Sequence, residues 1–169
     1  MALIIEDGSG VDGANTFFSA ASAGSYLNGR SATWTAASSE AQETALFVAG
    51  QYLNSLRWKG KKRDRDFTMS WPRVEVYDND DYLWDYATIP QDVKYAQAEA
   101  AVFDLDGYDL FSIIKQGDKL KRKKIDVIEK EWFGSAYSTK GTITGATYFG
   151  IINGLIGKFL ITSGTIRRA

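Results

Sequence analysis

Trp58, Lys59, Lys61, Lys62, Arg63, Arg65, Trp71 and Arg73 interleave aromatic rings with cations. This mixture suits a surface on which unpaired bases stack while phosphates are neutralised, so Trp58, Lys61, Lys62, Arg63 and Arg65 are candidates for nucleic-acid contact. The competing reading is a basic loop whose tryptophans bury against helices, the usual fate of large aromatics beside a turn. A second cationic run, Lys119, Lys121, Arg122, Lys123 and Lys124, would contact phosphates or an acidic protein face, or guard a strand edge against uncontrolled pairing.

The carboxylates offer less. Asp78, Asp80, Asp81 and Asp85 resemble a calcium loop in composition, but Tyr82 and Leu83 stand where an EF-hand needs oxygen ligands, which leaves a solvated acidic turn. Asp104, Asp106 and Asp109 would supply a carboxylate pair of the kind glycoside hydrolysis uses, without any accompanying cleft signature. The chain has no His and no Cys, which removes the usual general base, Ser-His and Cys-His nucleophile pairs, thiolate metal sites and disulfides. Gly8-Ser9-Gly10 and the glycines from Gly24 to Gly29 lack the spacing and the Lys of a phosphate-binding loop. No catalytic residue, metal ligand or cofactor is assigned, and the expectation is a protein that is not an enzyme.

These groups need elements to position them. At 169 residues and 44% hydrophobic content, one globular unit is expected, without a disordered linker or internal repeat. Met1 to Gly10 has neither the basic leader nor the apolar run of a signal peptide and reads as a short strand, with a flexible turn at Asp7–Gly10 and Asp12-Gly13. Ser19 caps a small-residue helix to about Asn28, anchored by Tyr26 and Leu27. Ser39 with Gln42 forms a capping box for a second helix, and Ala45, Leu46, Ala49, Tyr52, Leu53 and Leu56 repeat along its inner face. Trp58-Lys-Gly60 ends it, and an ordered loop follows to Pro72. Val74–Tyr77 is then briefly extended. Pro90 opens a third helix that turns Val93, Ala96, Ala100 and Phe103 inward and stops at Gly107.

From Leu120, charges alternating with Ile125 and Val127 predict a strand or arm, and apolar residues from Tyr148 to Leu160 recur at helical spacing. The fold class is therefore mainly α: a small helical-bundle body with a projecting β-ribbon or arm and an extended C-terminal tail. The expected divisions are a body with its N-terminal strand at 1–110, the arm at 111–146, and the C-terminal helix and tail at 147–169. Tyr148 to Ile161 is too short and too rich in Gly to span a membrane, so a soluble chain is expected. Formal net charge is -1, but basic residues crowd Arg57–Arg65 and Lys115–Lys130 while acidic ones dominate Glu75–Asp109, so opposite faces could pair head to tail.

Read in order, Ala2-Leu-Ile-Ile-Glu-Asp-Gly-Ser-Gly10, Ala45-Leu46 leading to Tyr52-Leu53, Trp58-Lys-Gly60, Ser70-Trp-Pro-Arg73, Val76-Tyr-Asp78, and Ile89-Pro90 followed by Val93-Lys94 resemble one family. It is that of the head-to-tail adaptor (connector) proteins of tailed bacteriophages, a group also labelled DnaT-like single-stranded DNA-binding proteins. The likeness covers most of Met1 to Phe103 and continues beyond Asp109 in outline; Asp81 stands where the family's Tyr-Asp-x-Asp turn is followed by Gly.

The resemblance implies a ring of about a dozen copies, each meeting its neighbour through different faces. Such a ring would sit beneath the portal protein in the virion at the head-tail interface, after synthesis in the host cytoplasm. It would carry the next tail component, whether nozzle, tail tube or stopper, and let double-stranded DNA pass without sequence-specific contact. In that setting the tail residues Thr165, Ile166, Arg167 and Arg168 are expected to bind portal or a neighbouring subunit, with Ile166 as anchor. Lys121, Arg122, Lys123, Lys124, Ile125 and Val127 are expected to contact a neighbour or the distal tail component. Single-stranded DNA binding in phage replication is the alternative.

Overall fold

The computed structural model describes residues 2–78, 80–111 and 150–161, together with the backbone of 123–125 and 128–130. The protein is mainly helical. Helices α1 (Ala20–Leu27), α2 (Ala32–Ala36), α3 (Ser39–Ser55), α4 (Gln91–Leu105) and α5 (Gly150–Ile156), the last running into a 3-10 turn at Gly157–Phe159, build the body. Strands β1 (Lys61–Lys62) and β2 (Arg73–Val74) pair antiparallel, as do β3 (Lys123–Ile125) and β4 (Ile128–Lys130).

α4 lies at the centre and packs against α1, α2, α3 and α5. Ala96, Ala98, Ala100 and Ala101 are all buried, and small side chains over most of its circumference let neighbours approach from several sides. The sequence pattern named one inward face, Val93, Ala96, Ala100 and Phe103; burial also takes in Gln97, Ala98, Glu99 and Ala101, while Phe103 is only partly covered. Pro90 caps the helix instead of opening its first turn, and Gly107, at φ 83°, follows its last turn as expected. α3 buries Ala45, Leu46, Ala49, Tyr52 and Leu53 as the spacing predicts.

Three local expectations change. The α3 cap is Ser38, whose side chain accepts from the Ala41 amide; Gln42 turns away to donate to Trp34 O at 2.9 Å, tying α2 to α3, so there is no capping box. The N-terminal strand reduces to one parallel bridge between Ile5 and Thr16. The Asp7–Gly10 turn is held firmly, because the buried Glu6 carboxylate accepts from the amides of Gly8 (2.9 Å), Gly10 (2.8 Å) and Val11 (2.9 Å). α2, capped by Ser31, has too little apolar periodicity to be read from sequence.

The C-terminal end of the described chain closes on the loop after α3. Trp58 and Leu160 form an antiparallel bridge, with Lys59 N donating to Phe159 O at 2.8 Å and Ile161 N to Arg57 O at 2.9 Å. Lys158 pairs with Asp92 at 2.6 Å, fastening the 3-10 turn to the start of α4. The β3–β4 pair fits the expected ribbon. The tail with Thr165, Ile166, Arg167 and Arg168 lies outside the described residues, as do Lys121, Arg122 and Val127; Lys123, Lys124 and Ile125 are described as backbone only. No helix among the described residues is long and apolar enough to cross a membrane.

Candidate functional site

The basic loop after α3 is built around its own tryptophans. Trp58 is 4% exposed and Trp71 0%. Their rings meet edge to face at 5.7 Å, and Trp71 meets Phe159 the same way at 5.6 Å. Trp58 Nε1 donates to Leu53 O at 2.9 Å, so that ring is fixed to the last turns of α3. A base cannot stack on a ring that has no accessible face, and the expected Trp58 platform is therefore corrected: the two indoles are core.

Three of the nearby cations, Arg73, Arg63 and Lys62, donate to backbone carbonyls. Arg73, also buried, donates through Nε to Lys59 O (2.7 Å), through one terminal nitrogen to Ser70 O (3.0 Å), and through the other to Gly60 O (2.9 Å). One guanidinium thus satisfies carbonyls on both sides of the loop and closes the β1–β2 pair. Arg63 donates to Gly8 O at 2.9 Å, docking the N-terminal turn, and Lys62 Nζ donates to Phe67 O. Lys61 pairs with Glu75 at 3.0 Å on the surface, and Arg65 is exposed. Gly60 is required here, because at φ 67° an added Cβ would lie 2.2 Å from Val74 O.

The acidic candidates also serve local structure. Asp78 Oδ1 accepts from the amides of Asp80 and Tyr82, both at 2.9 Å, which builds the turn and leaves less of that carboxylate for a cation. Asp106 Oδ1 accepts from the Thr33 hydroxyl at 2.7 Å and Asp109 Oδ1 from the Phe111 amide at 2.9 Å. Burial, followed by the charge of Asp109, raises the Asp104 pKa above the ordinary carboxylate range. The described cleft, about 560 Å³, lies elsewhere, between the end of α3 and α5, lined by Tyr52, Leu56, Arg57, Ile152, Ile156 and Ile161.

What does reach solvent is an aromatic group absent from the sequence-based candidates. Tyr77, Tyr82, Leu83 and Tyr86 are exposed on an acidic loop between β2 and α4. Its only signal in the sequence was three large side chains placed beside aspartates without helical or strand periodicity.

The family model described as "Putative DnaT-like ssDNA binding protein" matches residues 1–169. No curated protein and no solved structure matches the chain.

Proposed function

We propose that this chain, which belongs to the family of DnaT-like ssDNA binding proteins, is an assembly component that acts by docking other protein subunits. In its specific form the reading is a head-to-tail adaptor of tailed phages: a ring of about a dozen copies beneath the portal protein, joined to the next tail component. Genome DNA would pass through without sequence-specific contact. The carrying observation is the division of labour between the two loops. The tryptophans and most of the arginine contacts of the basic loop are spent on the fold, whereas the accessible aromatics stand among aspartates. Carboxylates repel a phosphate backbone, while exposed Tyr side chains suit a protein interface. Catalysis has no part in this reading, and no cofactor is invoked.

A second reading, binding of single-stranded DNA during phage replication, is favoured by the family's description. It would have to use Arg65 and the Lys121–Lys124 run in place of the tryptophans. Titration of a labelled oligothymidylate of about 16 nucleotides separates the two. The assembly reading expects no saturable, salt-sensitive binding below about 10 μM at moderate salt. Tight binding that disappears in Lys121→Glu/Lys123→Glu/Lys124→Glu, with the thermal transition unchanged, would put DNA binding first.

A further inference from the structure

Nine large apolar or aromatic side chains are well exposed among the described residues, and four of them fall between Tyr77 and Tyr86. Tyr82 is 72% exposed, Leu83 62% and Tyr86 60%. Scattered single exposures require no explanation, but a concentration of this kind on one short loop marks a contact surface.

The described residues of this loop are tied to one another. Tyr77 and Leu83 pair across an antiparallel bridge, Trp84 N donates to Val76 O at 2.8 Å, and Asp78 N donates to Tyr82 O at 3.0 Å. Its roots are buried: Val76 is fully covered, and the Trp84 ring packs edge to face on Phe159 at 5.4 Å. Anchoring at both roots restricts Tyr82 and Leu83 before any partner arrives, which lowers the entropy cost of docking.

Charge selects the occupant. From Tyr77 to Tyr86 there are four acidic residues and no basic one, and the flanking Glu75 and Asp92 are paired with Lys61 and Lys158. From Lys115 to Lys130 there are seven basic residues against three acidic, with Leu120, Ile125, Val127 and Ile128 interspersed. The β3–β4 backbone register sets Lys123 opposite Lys130 and Lys124 opposite Glu129. The acidic loop already takes one cation on an aromatic face, with the Arg63 guanidinium 6.0 Å from the centre of the Tyr86 ring.

We infer that the Tyr77–Tyr86 hairpin of one copy docks the basic 115–130 segment of a second copy, a heterologous contact between two different faces. The inference rests on the assembly reading and names its self-association contact.

The test is sedimentation velocity on the full chain at low salt with three variants. Tyr82→Ser/Leu83→Ser removes the apolar tip. Asp80→Lys/Asp81→Asn cuts the hairpin's net charge from -4 to -1, with Asn suited to the positive φ at Asp81. Lys123→Glu/Lys124→Glu reverses the ribbon. Wild type should associate, each variant alone should associate at least ten-fold more weakly with an unchanged thermal transition, and mixing the two charge variants should restore association. A wild type that stays monomeric at every concentration overturns the inference, as do variants that associate like wild type or a mixture that remains dissociated. Loss of oligonucleotide binding in place of association would assign the ribbon to nucleic acid and also overturn it. Presence in virions decides the assembly reading separately, so either idea can fail alone.

Discussion

Gln97 sits in the middle of α4 with no exposed surface and joins three parts of the protein. Its Oε1 accepts from Phe17 N at 2.9 Å, while Nε2 donates to Thr16 Oγ1 and to Leu46 O, each at 2.8 Å. Gly50 makes room for this joint, since a Cβ there would lie 2.5 Å from Asn15 O and 3.0 Å from Gln97 Nε2. Replacing Gln97 with Ala strands the buried Phe17 amide and removes the bonds to Thr16 Oγ1 and Leu46 O, so Gln97→Ala should lose about 1–3 kcal/mol in urea unfolding. A loss within error would show that the N-terminal segment is not held through this side chain. Sequence alone offered no sign of the role, because a lone Gln among alanines reads as an exposed helix position.

Tyr26 gives a pH-dependent test. Its ring stacks on Tyr95 at 4.0 Å, its hydroxyl donates to Glu99 at 2.9 Å, and Arg30 pairs with the same carboxylate at 3.1 Å. Burial first, and the Glu99 hydrogen bond second, push the phenol pKa up to about 12 from an ordinary 10.0. The unfolded chain therefore releases this proton before the folded one does. Its contribution to stability is complete below about pH 10 and is lost as pH rises through about 12. Urea midpoints of wild type and Tyr26→Phe should differ by a constant amount up to about pH 9, draw together from about pH 10, and converge only above about pH 12. Parallel curves would mean that Tyr26 titrates alike in both states.

At the scale of elements, the inner face of α3, the start of α1 at Ser19 and the Gly107 stop were legible because each depends on local spacing or a local cap. The Ser38 cap was misplaced by one residue, since Ser38 and Ser39 are both capable and only the backbone geometry decides between them. The fate of the tryptophans was not legible for a different reason. Their partner, Phe159, is far along the chain, and no local pattern records that contact. Phe159 is fully buried against Trp71, Trp84 and the loop after α3. Phe159→Ala should cost about 3–5 kcal/mol and speed hydrogen exchange at the Lys59 and Ile161 amides more than at those of α3. Uniform acceleration throughout would show that the C-terminal closure is not a separable unit.

At the scale of the whole molecule, the mainly helical class with a small ribbon was legible from periodicity and composition, and the order of motifs pointed to the family. The candidate site was legible only in its charges. Cation and aromatic composition is the same whether a loop binds bases or folds on itself, and only burial shows that Trp58 and Trp71 do the latter. Burial likewise revealed the Tyr77–Tyr86 loop, because aromatics beside aspartates read equally well as a solvated turn. The segregation of acid and base along the chain is the premise of the proposed contact between copies. The central claim, that the chain works as an assembly subunit, is tested most directly by quantitative mass spectrometry of purified virions, comparing its copies with those of the portal protein. The account predicts near-equal copy numbers; absence from particles, with abundance only in infected-cell extract, would contradict it and leave single-stranded DNA binding as the function.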